Sequence, residues 1–335
     1  MKFTAAILTE HNKELDIEEL SINNKLSYGQ VLIKMISTGI CGKQIEEIKG
    51  KMGDDKYIPH LLGHEGYGIV VDFGPGVKKV KKDDYVILHW IKGEGIQCET
   101  PTYYMGSRSI NAGWITTFNT YSIISENRMT VVNKQDDDIS APLFGCAVPT
   151  GIGTVLNQAN ARPEHKIAVI GAGGVGLNCI MGSKVINSKE IICYEEKIEA
   201  RKLAITLGAN EVVPLEYDKY KDFDIVLDTV ASTKTLEKAF SITKYNGDIY
   251  VIGVPSPGIS VNINALNLHR NIRFNGSSGG NIIPEIHIPA YMRLNENNII
   301  DVKKCVTKVG EFLEINEAIN RIIKGKETGR VVLKF

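Results

Sequence analysis

Three residues able to bind a soft metal are spread through the first half of the sequence: Cys41 in TGIC, His64 in LLGHEGYG and Cys146 in PLFGCAVPTG. Two thiolates and one imidazole can hold zinc and leave its fourth position open, the ligand set of a Lewis-acid site. The spacing is not that of a local CxxC clip. Taken singly, each residue also has an ordinary reading: Cys41 as a buried core residue, His64 as a turn histidine, Cys146 as a small helical core residue. The surroundings favour the metal. His64 and Glu65 stand between Gly63 and Gly66, where a permissive backbone can hold side chains at a cleft.

A second constellation follows at 169–176, VIGAGGVG. Gly171, Gly173, Gly174 and Gly176 come after an apolar strand and open an apolar helix, the context in which G-x-G-x-x-G binds a dinucleotide. Gly171 permits the tight turn, Gly173 lets the backbone approach the pyrophosphate, and Gly176 lets the helix pack on the strand. The helix N-terminus offers free amides and a positive dipole end. Glu195 ends the next strand, placed to accept hydrogen bonds from the adenosine ribose hydroxyls and to repel a 2′-phosphate. NAD(H) is therefore expected over NADP(H), with Lys197 as a counterweight. An open zinc beside a nicotinamide is suited to moving hydride to or from a carbonyl carbon.

The elements that must position these residues fall into two kinds. Up to residue 85 the sequence reads as short strands and turns, notably 2–8, 29–41 and 66–77, with another strand within 81–90. Residues 91–113 are expected to be loop, and 118–125 returns to strand. The pattern changes near 142. A helical region at 142–159 leads into alternating strands (166–171, 190–195, 224–230, 248–255) and helices (173–186, 197–208, 232–244), a βαβ series that implies a mostly parallel, doubly covered sheet. Residues 272–278 are a plausible last strand. An amphipathic helix at 314–326 and a strand at 329–335 follow. The fold class is two-domain α/β: a β-rich domain at 1–146, a Rossmann nucleotide domain at 147–285, and a return to the first domain at 286–335.

Composition is ordinary for a globular chain of 335 residues, and 39 basic against 39 acidic residues give a formal net charge of zero. That excludes a broadly basic nucleic-acid surface. Six scattered cysteines are not a disulfide framework. The N-terminal apolar stretch stops at Leu8, and no stretch reaches the ~18 apolar residues of a membrane span, so a cytoplasmic protein without membrane or nucleic-acid partners is expected.

From KFTAAI through TGIC, GHEGYG, GCAVPTG and VIGAGGVG to GRVVLKF, the chain resembles the zinc-dependent medium-chain alcohol dehydrogenases. The resemblance implies a GroES-like first domain, one catalytic zinc on Cys41, His64 and Cys146, and Glu65 as a carboxylate able to approach that zinc. It places Thr150 near the nicotinamide and Arg330 on the pyrophosphate. It implies a homodimer or homotetramer, usually built by extending the nucleotide-domain sheet, with 272–278 as the candidate edge. Three departures stand out. Lys43 occupies the position of the hydroxyl proton relay and Gln44 that of a common aspartate; Lys43 either contacts the substrate oxygen, binds an anionic or hydroxyl-rich substrate, or points to solvent. The four-cysteine structural zinc lobe is missing, with only Cys98 there. Trp90 falls on the substrate wall, with Trp114 a second candidate and His89 a candidate for a proton path. The expected reaction is hydride transfer between NAD(H) and an alcohol or carbonyl substrate. The alternatives are a sugar, polyol or cyclitol dehydrogenase, a glutathione-dependent formaldehyde dehydrogenase, or a non-catalytic NAD-binding protein.

Overall fold

The computed structural model describes residues 1–22 and 25–335. Eighteen strands are present among the described residues: β1 (Lys2–Leu8), β2 (Asp16–Ser21), β3 (Gln30–Ile40), β4 (His60–Leu61), β5 (Glu65–Phe73), β6 (Tyr85–His89), β7 (Thr102–Met105), β8 (Arg108–Asn111), β9 (Tyr121–Ser125), β10 (Met129–Val132), β11 (Lys166–Ile170), β12 (Glu190–Tyr194), β13 (Glu211–Val213), β14 (Phe223–Asp228), β15 (Thr243–Val251), β16 (Arg273–Gly276), β17 (Val306–Glu311) and β18 (Arg330–Lys334). Eight α-helices accompany them: α1 (Gly42–Ile48), α2 (Ala147–Gly153), α3 (Gly174–Val185), α4 (Ile198–Leu207), α5 (Thr233–Ile242), α6 (Ala265–His269), α7 (Pro284–Glu296) and α8 (Ile315–Ile323).

The chain divides into two compact units, one of residues 1–146, 283–290 and 308–335, the other of 147–282 and 291–307. In the first, β1, β2, β7, β8 and β4 close a barrel, and a seven-stranded sheet runs β10-β6-β5-β3-β18-β17 with β9 also on β3. Alternation along β1 and β3 sends Ala5, Ile7, Val31, Ile33 and Met35 into the core. β3 is the spine of this unit: β5, β9 and β18 all pair with it. Cys41 follows directly on its end, and the antiparallel β5, which begins with Glu65 directly after His64, runs beside that end.

The stretch at 91–113 is not simply loop. β7 and β8 form a hairpin across Gly106 and Ser107, with Met105 opposite Arg108, and Tyr103 and Ile110 are fully buried. Barrel closure gives these short strands their partners, and apolar burial then outweighs their weak patterning. Cys98 lies in the irregular part of the same stretch but is buried.

The second unit is a six-stranded sheet of order β13-β12-β11-β14-β15-β16, parallel at every pairing. Its central strands are mostly apolar and buried, with Ile167–Ile170 of β11 and Ile225–Leu227 of β14 at their heart, as a doubly covered sheet requires. β16 is an edge, as its place in the sequence suggested. Ser232 caps α5 through a reciprocal bond set with Thr235. No helix among the described residues is long and apolar enough to cross a membrane.

Candidate metal and nucleotide sites

Cys41 leaves the end of β3 and forms the N-cap of α1, with an extended backbone (φ −87°, ψ 149°). His64 lies just before β5. Cys146 follows a 3-10 turn at Ala141–Gly145, where its N–H donates to Leu143 O at 3.2 Å. One ligand atom from each of the three residues lies within 4.8 Å of the others. His64 Nε2 is 3.3 Å from Cys146 Sγ. The hydrogen bond between the two sulfurs holds Cys41 well below the ordinary thiol range and Cys146 well above it. Arg330 and His64 add to the pull on Cys41.

The chemistry of the donor set fits zinc, and Gln44 supplies a further test. Its amide is buried against His64 Nδ1, with Oε1 buried and unpartnered. Turning that amide over lets Oε1 accept the Nδ1–H, which leaves Nε2 as the free ligand nitrogen facing Cys146. Sequence reasoning recorded Gln44 only as a missing aspartate. What it missed is that α1, starting directly after Cys41, carries Gln44 to the Nδ1 side of His64.

Glu65 stands outside the three-atom group. Its Oε1 is 3.1 Å from Arg330 Nε, and both residues are buried. In the structure its carboxylate is the partner of Arg330. Burial raises its pKa and the arginine opposes the rise. Arg330, expected on the pyrophosphate, lies within the first unit, where Nη1 donates to Ile40 O at 3.2 Å and the guanidinium faces Glu65. Burial works against its charge, but Glu65 and the two thiols outweigh burial and raise its pKa. Gly39 is the residue that sequence reasoning missed here. A Cβ on Gly39 would collide with the Glu65 carboxylate, so the carboxylate can lie flat on β3 only over a glycine. Thr38 Oγ1 donates to Glu65 O at 2.9 Å and fixes the backbone at that point.

Lys43 is one turn from Glu47 on α1, 3.5 Å from its Oε1, and both are about 29% exposed. His89 is buried with both ring nitrogens hydrogen-bonded. Its Nδ1–H donates to Ile91 O at 2.7 Å and its Nε2 accepts from Thr130 Oγ1 at 3.0 Å. Burial, only partly offset by the Ile91 bond, lowers its pKa to about 4 and keeps it neutral. Trp114 does not offer its indole N–H to a ligand, because that group donates to Cys98 O at 3.0 Å. Trp90 is half-buried, and the register pairing of Glu65 with His89 carries it to the level of His64.

In the second unit, Gly171 has φ +91°, a left-handed turn that favours glycine, and any Cβ on Gly176 would strike Gly171 O. Gly173 forms the N-cap of α3 and faces open space, with nothing within 4 Å of a Cβ built there. This open backbone is what close approach of a pyrophosphate requires. Gly174 begins α3. The Glu195 carboxylate accepts from Ala172 N at 2.8 Å, Glu196 N at 2.8 Å and Lys197 N at 2.9 Å. Three amides fix the anion beside the glycine turn while leaving acceptor capacity for a ribose hydroxyl. Thr229 Oγ1 donates to Ile170 O at 2.9 Å and braces the turn from the neighbouring strand. Thr150 on α2 is buried, and its Oγ1 has no partner. The residues fit a dinucleotide.

Comparison with known proteins agrees with this geometry. Residues 27–135 match the alcohol dehydrogenase GroES-like domain, and residues 174–296 match the zinc-binding dehydrogenase domain. The chain therefore belongs to the zinc-dependent medium-chain alcohol dehydrogenases, with the Cys41–His64–Cys146 set for a single catalytic zinc and without a four-cysteine lobe. It is an NAD(H)-linked oxidoreductase of alcohols or carbonyls. The chain is 27% identical, over the full length of both sequences, to an S-(hydroxymethyl)glutathione dehydrogenase of Escherichia coli (strain SMS-3-5 / SECEC). Its fold is similar to that of an alcohol dehydrogenase zinc-binding domain protein from Burkholderia ambifaria (TM-score 0.92, 21% identity, 100% and 99% of the two chains covered). It is also similar to that of benzyl alcohol dehydrogenase from Acinetobacter calcoaceticus (TM-score 0.89, 24% identity, 100% and 99% covered).

Proposed function

We propose that this dehydrogenase acts on a hydroxyl-rich alcohol of the sugar, polyol or cyclitol kind, or on the corresponding carbonyl. The observation that carries the reading is the Lys43–Glu47 pair on α1, which begins at the ligand Cys41. A simple aliphatic alcohol has no use for two hydrogen-bonding charges there, whereas neighbouring hydroxyls of a polyol can bond to both.

Zinc held by Cys41, His64 and Cys146 would supply Lewis acidity at the reacting oxygen. NAD(H) held at the glycine turn would take or give the hydride. Lys43 bonds to the substrate oxygen directly or through water and handles its proton, the task of the absent hydroxyl relay. Trp90 walls the substrate, and its indole N–H is a donor for a hydroxylated one. Gly171, Gly173, Gly174 and Gly176 receive the pyrophosphate, Glu195 the ribose hydroxyls, and Thr150 lies by the nicotinamide. Glu65 and Arg330 form a nearly neutral buried pair behind Cys41, which limits the charge on the ligand side.

We further propose a homodimer, or a tetramer built from it, joined through the free edge of β16. Phe274 on that strand is exposed, and α6 beside it in sequence buries none of its residues.

A second reading is favoured by the full-length similarity to S-(hydroxymethyl)glutathione dehydrogenases: the same site oxidises that adduct, with Lys43 meeting one of its carboxylates. Zinc content per chain, measured with NAD⁺- and NADP⁺-linked turnover on simple alcohols, polyols, cyclitols, sugar nucleotides and S-(hydroxymethyl)glutathione, tests both. About one zinc with preference for a polyol or cyclitol supports the first reading. Preference for the glutathione adduct replaces it with the second, and preference for an unsubstituted alcohol defeats both.

A further inference from the structure

Beyond His89 the chain runs from Trp90 to β7 without regular structure, yet its backbone is fastened largely from one place, the turn Ser125–Arg128 between β9 and β10. The buried Glu126 carboxylate accepts backbone N–H bonds from Ile96 at 2.7 Å, Lys78 at 2.6 Å and Lys79 at 2.8 Å. Ser125 Oγ accepts from Cys98 N at 2.9 Å, and Asn127 O accepts from Gly93 N at 2.9 Å. Arg128 completes the set. Its Nη1 donates to the carbonyl of Trp90, and its guanidinium lies 5.5 Å from the centroid of the Trp114 ring. Trp114 is itself held by the bond from its indole N–H to Cys98 O. One guanidinium thus joins the backbone of Trp90 to the face of a ring fixed elsewhere on the same stretch.

A guanidinium is planar and its donors are directional, so stacking and hydrogen bonding together set both distance and angle. A lysine at this position would keep the charge but lose that geometry. The peptide of Trp90 is where chain direction changes after β6, so a small rotation there moves the indole at the level of His64. We propose that Arg128 is a positioning residue for substrate selectivity: it sets where Trp90 stands beside the metal ligands. The turn Ser125–Asn127 supplies the rigid base. The proposal rests on the reading of Trp90 as substrate wall.

The test compares kcat/KM on the best substrate and on a bulkier homologue of it, for the wild type, Trp90→Ala, Arg128→Lys and Arg128→Ala. Trp90→Ala is expected to shift the ratio of the two by about tenfold or more, the scale on which a pocket wall discriminates size. Arg128→Ala should shift the ratio in the same direction, through KM more than kcat, with Arg128→Lys between it and the wild type. Zinc per chain and the pH profile of kcat should not move. If Trp90→Ala moves the ratio while both Arg128 variants leave it unchanged, or lower both substrates by one common factor, the positioning role is overturned. If Trp90→Ala itself leaves the ratio unchanged, the reading of Trp90 falls and the proposal with it. Should Arg128→Ala fail to fold, Arg128→Lys decides: an unchanged ratio with an altered tryptophan emission spectrum also overturns the proposal.

Discussion

At the scale of single residues, the metal site depends on groups that do not touch the metal. His64 can present Nε2 to zinc only if Nδ1 keeps its proton, and Gln44 is the side chain in contact with Nδ1. Gln44→Ala should therefore weaken zinc binding by about 10–100-fold, the usual cost of losing such a partner. Competition against a chelating dye measures this, and Gln44→Glu, which keeps an acceptor, should recover most of the loss. Equal affinity in all three proteins would show that His64 needs no orientation from α1. Lys43→Ala should lower kcat/KM by at least about tenfold if the lysine handles the substrate proton, since such groups typically contribute more than that. An unchanged kcat/KM and pH profile would return Lys43 to the role of a partner for Glu47.

At the scale of elements, the irregular stretch after β6 is held by hydrogen bonds where a relative with four closely spaced cysteines would use a metal. Burial alone would raise the pKa of Glu126, but the amides of Ile96, Lys78 and Lys79 outweigh it and leave the pKa below the ordinary value. A carboxyl whose folded pKa is depressed stabilises the fold fully above its unfolded pKa, and that contribution is lost as pH falls through the folded pKa. Glu126→Gln should accordingly cost about 1–3 kcal/mol at neutral pH, the price of poorly satisfied buried donors. The deficit should shrink in acid, as pH falls through the depressed folded pKa and the wild-type carboxyl also takes up its proton. Urea unfolding at both pH values measures it, and a deficit independent of pH would assign the effect to shape instead of charge. The same elements show what was readable in the sequence. The βαβ series and its glycine turn carry strong local patterns, and the strands that end before Cys41 and begin after His64 are rich in β-formers. The β7–β8 hairpin was expected as loop, although Gly106-Ser107 stands between two short β-forming runs. Residues 91–113 concealed it because four-residue strands barely establish a period. The Glu65–Arg330 pair and the role of Gly39 were not legible, because they join positions that only the pairing of β3 with β5 and β18 brings together.

At the scale of the whole molecule, a net charge of zero offers no long-range repulsion between copies, so a free sheet edge meets little electrostatic resistance. Phe274→Asp places a like charge on both sides of any twofold contact through β16. Sedimentation should then report monomers in place of the dimer proposed for the wild type, with the NAD⁺-induced rise in Tm retained. Retention of the dimer would move the interface to another surface. The order in which the chain is made also follows from the architecture. The three zinc ligands and Glu65 are all synthesised by residue 146, but β18, which pairs with the strand leading to Cys41 and carries the arginine that meets Glu65, is made only after the whole of the second unit. At about 5–20 residues per second, a nascent chain spends roughly ten seconds or more with its ligands complete but its buried carboxylate lacking a counter-charge. Zinc captured on the ribosome would therefore enter an unfinished site, and its retention would be decided by the arrival of β18.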